Sequence, residues 1–354
     1  MQRFSRQFLL SLGILAPALI AGLIVWTRVT AEPQPKPPYP VPGRQFVAEY
    51  GVVGADAAHI VYYWGLFGIG RRIRQAQLLL LGSSHMQFGL SARQLSVTLS
   101  RTAGRPVEAF NLGVGCGESA LFGARVLQRL GIRGKTTVAD IYNTDSLSPC
   151  GGEAVKADAY DAYFKVLAIW TKFTWDWLLD GYLPTLMLRD GSATVSRFLS
   201  GSIVIVDWRY GDVAYCSRPS QGKVFPQDAR GAAYPVDDYS GNNRSDLPPT
   251  VPADPKLLDL LAAGQMEPAL TLIPFSGSRD YRPKLPAPHS KGGEASFIEL
   301  SGQGLATFDH NHLTGDSRAV ATQRLLDTLS RDGLLSALLA ELPATTQRLM
   351  SHWL

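Results

Sequence analysis

Two short segments of this 354-residue chain carry side chains whose types and spacing suit nucleophilic chemistry. The first is Gly82-Ser83-Ser84, which follows the apolar run Ala76–Leu81. The second holds Asp309 and His312, three residues apart, before a final helical stretch. A serine hydroxyl is a weak nucleophile until a base removes its proton, and a carboxylate that fixes the imidazole tautomer makes histidine an effective base. Together the segments predict a catalytic triad of Ser84, His312 and Asp309.

Each segment by itself also has an ordinary structural interpretation. A serine between a strand and a helix is commonly the helix N-cap, and this applies to Ser83 as well as to Ser84. His310 competes with His312 for the role of base, and a loop histidine is usually just solvated. Only the combination of the two segments favours catalysis.

Strands alternate with helices on both sides of a long central segment. Short, almost continuous apolar runs predict strands that are buried on both faces. The predicted strands are Ala76–Leu81, Val107–Leu112, Thr136–Tyr142, Ala269–Pro274 and Phe297–Leu300, and the predicted helices are Ser91–Thr102, Ser119–Leu130, Pro255–Ala263 and Ser317–Ser330. This order predicts an α/β fold with a doubly wound, mostly parallel sheet and helices on both faces. Ligands bind such sheets at the carboxyl edge, where the serines would lie.

The segment from about residue 158 to 243 departs from this alternation and is predicted to be an insertion after the third strand. It contains helical patterns first and then a hairpin at Ser202–Cys216. Aromatic residues crowd it: Trp170, Trp175, Trp177, Tyr182, Trp208 and Tyr210. These rings are either a glycan-stacking groove or part of an amphipathic helical cap over 164–188 that packs on the core or touches the membrane interface. Before the first strand, Phe46–Arg74 is predicted to be an entry helix.

The N-terminus predicts export. Phe8–Trp26 is an uncharged apolar stretch of 19 residues, preceded by Arg3 and Arg6. At ~1.5 Å per residue it nearly spans a bilayer core of ~30 Å, and the flanking arginines keep the N-terminus inside. We expect residues 1–7 in the cytoplasm, 8–26 as a single-pass inner-membrane anchor and the body in the periplasm. A cleaved signal peptide ending at Val29-Thr30-Ala31 is the alternative.

The residues after the anchor separate it from the folded body. Glu32–Pro42 has six prolines in eleven residues, which predicts an extended, semi-rigid spacer. The domain is expected to occupy residues 46–354. A formal net charge of +4 without a basic block argues against a nucleic-acid surface. The six histidines do not cluster with the three cysteines, so neither a metal nor a cofactor is expected.

Two of the cysteines follow predicted strands closely. Cys116 comes after the second strand and Cys150 after the third. Neighbouring strand ends would bring them within the ~4.4–6.8 Å Cα separation that a disulfide needs. Two unrelated buried thiols are the alternative. A Cys116–Cys150 bridge would leave Cys216 as the free thiol.

A Gly-x-Ser after the first strand, combined with Asp-x-x-His before the last helix, resembles the SGNH (GDSL) hydrolases. Their first block, Gly-Asp-Ser, is similar to Gly82-Ser83-Ser84, and their last block is similar to 309–312. Their second block, Asn-x-Gly, is similar to Asn111-Leu112-Gly113. The resemblance implies an oxyanion hole from the backbone N–H groups of Ser84 and Gly113 with the side chain of Asn143. The third block fits poorly, because the Gly and Asp that accompany its asparagine are missing here.

The first block looks most like membrane-anchored relatives in bacterial surface-polymer pathways, including O-acetylation and D-alanylation factors. This resemblance implies a serine-dependent O-acyl, mainly O-acetyl, esterase or transferase that acts on an extracytoplasmic polysaccharide. A membrane-bound acyltransferase or glycan synthase is the partner that it implies. Because of the poor third block, a catalytically inactive accessory or scaffold protein of an envelope assembly complex is the alternative. A membrane-tethered binding module that uses the aromatic insertion is a third hypothesis.

Overall fold

A computed structural model describes residues 45–50, 57–142, 146–168, 202–218, 223–225, 234–236, 250–252, 255–275, 282–284 and 296–331. All of these residues belong to one compact unit, Pro42–Trp170 together with Ser200–Leu354. The predicted anchor Phe8–Trp26 and the spacer Glu32–Pro42 lie outside the described residues. Among the helices that are described, none combines the length and the apolar character needed to cross a membrane.

The elements follow one another in an order close to the predicted one. The strands are β1 Gln45–Tyr50, β2 Leu78–Leu81, β3 Ala109–Asn111, β4 Thr136–Asp140, β5 Ser202–Asp207, β6 Val213–Arg218, β7 Lys223–Phe225, β8 Tyr234–Pro235, β9 Thr250–Pro252, β10 Glu267–Thr271, β11 Arg282–Lys284, β12 Ser296–Ile298 and β13 Ala306–Thr307. The helices are α1 Ala57–Trp64, α2 Ile69–Gln75, α3 Ser84–Gly89, α4 Ala92–Ala103, α5 Ala120–Arg129, α6 Pro149–Lys156, α7 Pro255–Ala263 and α8 Gly315–Arg331. Residues 159–168 are also helical.

The centre of the unit is a five-stranded sheet in the order β3-β2-β4-β10-β12. All four neighbouring pairs are parallel, and β2 aligns Leu80 with Asn111 of β3 and with Val138 of β4. This confirms the predicted α/β class with a parallel sheet. The chain reverses direction across the sheet between β2 and β4, and in sheets of this type the ligand crevice opens at that point of the carboxyl edge.

The four leucines of β2 explain why this strand lies in the middle of the sheet. Each of them is fully buried, and alternate side chains enter two different cores. Leu79 and Leu81 pack in a core with residues of α1, α5 and α7, while Leu78 and Leu80 pack with residues of α4 and α8. Burial of a leucine side chain contributes about 1.5–3 kcal/mol. A continuous apolar strand therefore anchors both layers and fixes the position of Gly82 at its end.

A second sheet is antiparallel, with four strands in the order β1-β5-β6-β7. It contains the predicted hairpin, because Ser202–Asp207 and Val213–Arg218 pair antiparallel. It also corrects the predicted entry helix: Gln45–Tyr50 is a strand paired along its length with Ser202–Asp207, and helix begins only at Ala57. The backbone N–H and C=O groups of a strand pair with those of another strand and not within the segment. A distant strand that supplies these partners can therefore override a local helical pattern.

The turn of this hairpin docks on the central sheet. The N–H of Asn111 on edge strand β3 donates to the carbonyl of Tyr210 (2.7 Å). Asp212, 5 % exposed, accepts the N–H groups of Ala92 (2.8 Å) and Arg93 (3.0 Å) and so caps α4. The inserted segment is therefore built into the core at this point.

The loop after β3 is fastened to the start of α6 in two ways. Cys116 and Cys150 form a disulfide with a Cα–Cα distance of 6.4 Å. Beside it, the fully buried Glu118 carboxylate accepts the N–H (3.1 Å) and the hydroxyl (2.6 Å) of Ser148 and lies 3.2 Å from His59 Nε2. Burial raises the pKa of Glu118, but the contacts with His59 and Ser148 outweigh it and hold that pKa below its usual value. The cluster keeps this loop and the start of α6 in register at the carboxyl edge.

Removal of the Cys116–Cys150 bridge should cost measurable stability. The bridged residues are 34 positions apart in sequence. For a loop of that length, the loss of chain entropy in the unfolded state stabilises the fold by roughly 3–4 kcal/mol. We expect the Cys116→Ala/Cys150→Ala variant to have a correspondingly lower midpoint urea concentration of unfolding. Cys216→Ala is the control and should leave the bridge intact; alkylation of both Cys116 and Cys150 without reductant would contradict the bridge.

Candidate active site

The nucleophile candidate lies in a sharp turn between β2 and α3. Ser83 is the N-cap of α3, and its hydroxyl accepts the N–H of His85 (3.0 Å). Ser84 is the first residue of the helix and is half-buried. The turn requires glycine at Gly82, because a Cβ there would lie 2.6 Å from that of Met86. Ser83 is thus the capping residue, and Ser84 is left to present its hydroxyl at the edge of the sheet.

The acid–base loop follows β13. Asp309 Oδ1 accepts the N–H groups of Asn311 (3.1 Å) and His312 (2.8 Å), which closes a tight turn around the carboxylate. His310 inside this turn has a left-handed φ of 68° and is exposed. Its ring stacks on Tyr234 with centroids 3.8 Å apart. The turn therefore points His310 toward solvent and His312 toward the sheet.

The structure brings the three predicted residues into one hydrogen-bonded chain. His312 Nδ1 lies 2.7 Å from Asp309 Oδ2, and His312 Nε2 lies 2.8 Å from Ser84 Oγ. With the Nδ1 proton donated to the carboxylate, Nε2 is left to accept the serine proton, as a base requires. The residue that meets Ser84 is His312, which is 228 positions away, and not His310. This geometry is that of a nucleophile, a base and a group that orients the base.

The carboxylate of Asp309 is held in its ionised form. Burial raises its pKa, but the hydrogen bonds and the charge of His312, helped by the N–H groups of Asn311 and His312, lower it more. Its pKa therefore lies below the ordinary value. An ionised Asp309 stabilises the imidazolium that forms when His312 takes a proton.

Aromatic rings surround His312. Phe308 stacks against it with ring centroids 5.6 Å apart, and Phe88 lies at 4.9 Å. His85, next to Ser84 in sequence, lies 5.7 Å from His312 and stacks on Phe275. These contacts restrict the imidazole to the orientation that reaches Ser84. Sequence reasoning did not identify them, because their partners come from separate elements.

The predicted oxyanion donors have different outcomes. The N–H of Gly113 donates to the side-chain Oδ1 of Asn111 (2.8 Å), so in this structure it is already engaged. Glycine is needed there for another reason: a Cβ would lie 2.5 Å from the backbone nitrogen of Gln87 in α3. Asn143 lies outside the described residues. The structure places the third predicted donor, Ser84, at the site. Its N–H lies in the first turn of α3, where backbone N–H groups have no partner within the helix.

Asn111 takes a role that the sequence did not reveal. It is fully buried at the end of β3, and its side-chain amide donates to the carbonyls of Met86 (3.2 Å) and Leu90 (3.1 Å). Its own Oδ1 accepts the Gly113 N–H. The middle and the C-terminal end of the nucleophile helix α3 are therefore tied to the neighbouring strand by a single side chain. An asparagine at the end of a strand and two residues before a glycine is the signal that could have indicated it.

A buried carboxyl group lies under the nucleophile turn. Asp140, at the end of β4, is fully buried and accepts the Ser83 hydroxyl (3.4 Å) and the N–H groups of Tyr142 (3.3 Å) and Ile273 (3.4 Å). Burial raises its pKa to about 7, and the three hydrogen bonds oppose that rise only in part. Asp140 links the ends of β4 and β10 to the residue that caps the nucleophile helix.

Asp140 predicts a pH dependence of stability. Its pKa is about 7 in the folded state and about 4 in the unfolded state, so its contribution to stability is complete below pH 4 and is lost as the pH rises through 7. The loss is on the order of 4 kcal/mol. Asp140→Asn, whose neutral side chain can keep a hydrogen bond with the Ser83 hydroxyl, should remove this decline and be the more stable form at pH 8, as measured by urea unfolding. Asp259→Asn, at an exposed carboxylate of α7, should keep the decline; an unchanged decline in Asp140→Asn would refute the assignment.

The aromatic residues of the inserted segment are only partly described. Trp208 is half-buried, packs against the core of α1 and α5, and contacts Phe67 with centroids 5.9 Å apart. Tyr210 packs against the other core. Trp170, Trp175, Trp177 and Tyr182 lie outside the described residues. Both described rings have a packing role. In the described part of the chain, no group of three or more His, Cys, Asp or Glu residues is arranged to hold a metal ion.

Comparison with known proteins identifies no relative. No family model, no curated protein and no solved structure matches the chain. The functional conclusion therefore depends on the geometry of the site and on the residues themselves.

Proposed function

We propose that this chain is a serine-dependent O-acyl esterase or transferase, with O-acetyl as the favoured group, that acts on an extracytoplasmic polysaccharide. The observation that supports it is the hydrogen-bonded chain Ser84–His312–Asp309 at the carboxyl edge of a parallel sheet. The segments that hold Ser84, His312 and Asp309 resemble the first and last blocks of the SGNH hydrolases. Ser84 lies 228 residues from His312 and comes from a different segment than the Asp309–His312 pair, which makes chance contact a poor explanation.

The geometry supports a two-step acyl transfer. Ser84 Oγ attacks the ester carbonyl while His312 Nε2 takes its proton, and the same proton then protonates the departing sugar oxygen. Asp309 holds the imidazole and balances its charge. The Ser84 N–H is the proposed donor to the oxyanion, with Asn143 as a further candidate. Water, or a second sugar hydroxyl, then attacks the acyl-enzyme; water gives hydrolysis and a sugar gives transfer.

The direct test uses substrate classes. Purified full-length protein should release acetate from an O-acetylated polysaccharide and react with a fluorophosphonate probe at Ser84. Simple acetyl esters should be cleaved slowly, since they lack the glycan contacts. Probe labelling without acetate release would retain the serine chemistry and reject the polysaccharide. The absence of both would reject the enzymatic proposal.

Export and anchoring are part of this proposal, and the apolar stretch Phe8–Trp26 supports them. A phosphatase reporter that folds only outside the cytoplasm should be active when it is fused after Pro42. The same fusion made after Gln7, before the apolar stretch, is the control and should be inactive. Activity of a cytoplasm-only reporter after Pro42 would reject the envelope location.

One observation favours a second candidate, a catalytically inactive accessory protein. The Gly113 N–H, which the family resemblance assigns to the oxyanion hole, is engaged by Asn111 at 2.8 Å. A site with one donor fewer stabilises an oxyanion less, typically by about 3 kcal/mol. The fluorophosphonate reaction discriminates between the two candidates, because a scaffold has no need of a reactive serine.

A further inference from the structure

One end of the molecule carries an unusual concentration of positive charge. Between Ala57 and Gln75, and again between Ser119 and Lys135, the sequence contains no Asp or Glu. The same two stretches contain seven basic residues: Arg71, Arg72, Arg74, Arg125, Arg129, Arg133 and Lys135. Acidic residues on the neighbouring elements number six: Glu108, Glu153, Asp158, Asp161, Asp259 and Glu267. We call the surface formed by the seven basic residues the basic face.

The fold gathers these two stretches at the amino edge of the parallel sheet. α2 ends at Gln75, just before β2 begins, and α5 leads through residues 130–135 into the start of β4. The Arg74 guanidinium donates to the carbonyl of Leu130 (3.1 Å), which ties the ends of the two helices together. Ser84 lies after the carboxyl end of the same strand β2. The basic face and the catalytic site therefore lie at opposite edges of the sheet.

An exposed aromatic stripe adjoins the basic face. The stripe consists of three aromatic side chains and one leucine that recur at the spacing of a single helix face. Their exposed fractions are 76 % for Tyr160, 47 % for Tyr163, 55 % for Phe164 and 45 % for Leu167. The Tyr163 ring lies 6.1 Å from Phe67, directly before α2.

At the end of α1, the Arg129 guanidinium lies 4.4 Å from the ring centroid of Trp64. Cations beside exposed aromatic side chains are the combination that binds the headgroup region of a bilayer.

We infer that the domain docks through the basic face on an anionic phospholipid bilayer, with the aromatic stripe at the headgroup boundary and the catalytic edge turned away from the membrane. Charge complementarity favours this partner over a neutral one, and each Lys or Arg close to an anionic surface strengthens binding roughly fivefold. A polyanionic substrate is a weaker explanation, because the basic face lies across the sheet from Ser84. The inference depends on the proposed membrane attachment.

Energy transfer to labelled lipid tests the orientation in the full-length protein. A donor dye is attached at Gln75→Cys on the basic side, or at Val320→Cys on α8, in a Cys216→Ser background. Both positions are exposed. On vesicles that contain phosphatidylglycerol and an acceptor lipid, transfer from position 75 should be at least twice that from position 320. On phosphatidylcholine vesicles, or in high salt, the difference should largely disappear, because salt screens charge over a few ångströms.

Matched charge variants separate the basic face from general electrostatics. Arg71→Gln/Arg133→Gln removes two cations of the face and spares Arg74 and Arg129, which make the contacts described above. Arg209→Gln/Lys256→Gln removes two exposed cations at the other edge of the sheet, in the hairpin turn beside β3 and at the start of α7. The first pair should reduce transfer from position 75 and the second should not. Equal transfer from both positions would overturn the docking, and so would an equal effect of both pairs. If the protein fails to float with the vesicles at all, the anchor is refuted as well as the docking, which distinguishes the two failures.

Discussion

Ser84→Ala is expected to abolish turnover of an acetyl ester, with a loss of at least about a thousandfold in kcat. The reason is that the variant lacks the attacking oxygen from which the His312 base takes the proton. Labelling by a fluorophosphonate should disappear with the activity. Acetate release measured by a coupled assay, together with in-gel probe fluorescence, checks both results on one preparation.

The neighbouring serine supplies the control. Ser83 caps α3 and contacts Asp140, so Ser83→Ala should lower the free energy of unfolding by about 1 kcal/mol and leave much of the activity. Both changes replace a serine hydroxyl by hydrogen, at neighbouring positions of the same turn. If Ser84→Ala retained the activity of the parent, the enzymatic proposal would fail and the scaffold would take its place. If Ser83→Ala were the inactive variant, the nucleophile would be out of register by one residue.

His312→Ala should be nearly as damaging as the loss of the nucleophile. The imidazole is the only group in the described site that contacts both Ser84 and Asp309, at 2.8 Å and 2.7 Å. Without it the serine proton has no acceptor. Because triad members act as a unit, the double variant Ser84→Ala/His312→Ala should be no worse than Ser84→Ala alone. Single-turnover rates at saturating ester measure this directly.

Two further variants test the role of the loop. Asp309→Asn should retain roughly ten- to a hundredfold more activity than His312→Ala, because it disturbs the tautomer and the orientation but leaves the base in place. His310→Ala is the internal control, since the His310 ring stacks on Tyr234 away from the nucleophile, and it should have a mild effect. The reverse ranking of His310 and His312 would contradict the contact with Ser84.

Local sequence determined the parallel sheet well. An uninterrupted leucine run has no polar side to offer to water, so it forms a strand buried on both faces, and Leu78–Leu81 lies inside the predicted Ala76–Leu81. The spacing of Asp309 and His312 needs only one turn of chain to bring carboxylate and imidazole together. Such features depend on neighbours in sequence, and the structure places them as the pattern indicated.

Contacts across the fold could not be predicted in the same way. Gln45–Tyr50 is a strand because Ser202–Asp207 pairs with it, and the local pattern of its residues had indicated a helix. The Gly113 N–H turns to Asn111, whose own position is set by two carbonyls of α3. In both cases the partners that decide the outcome, β5 for the strand and two α3 carbonyls for the Asn111 side chain, lie far away in sequence.

The sequence by itself determined which residue types can perform the chemistry: a serine after a buried strand, and an aspartate three residues before a histidine. Only the tertiary structure decided that His312 meets Ser84 across 228 residues, that Ser83 is the cap, and that the buried Asp140 lies beneath it. The physical reason is that backbone patterns act over a few residues, whereas hydrogen-bond partners and burial depend on which strand ends the whole fold brings to one edge.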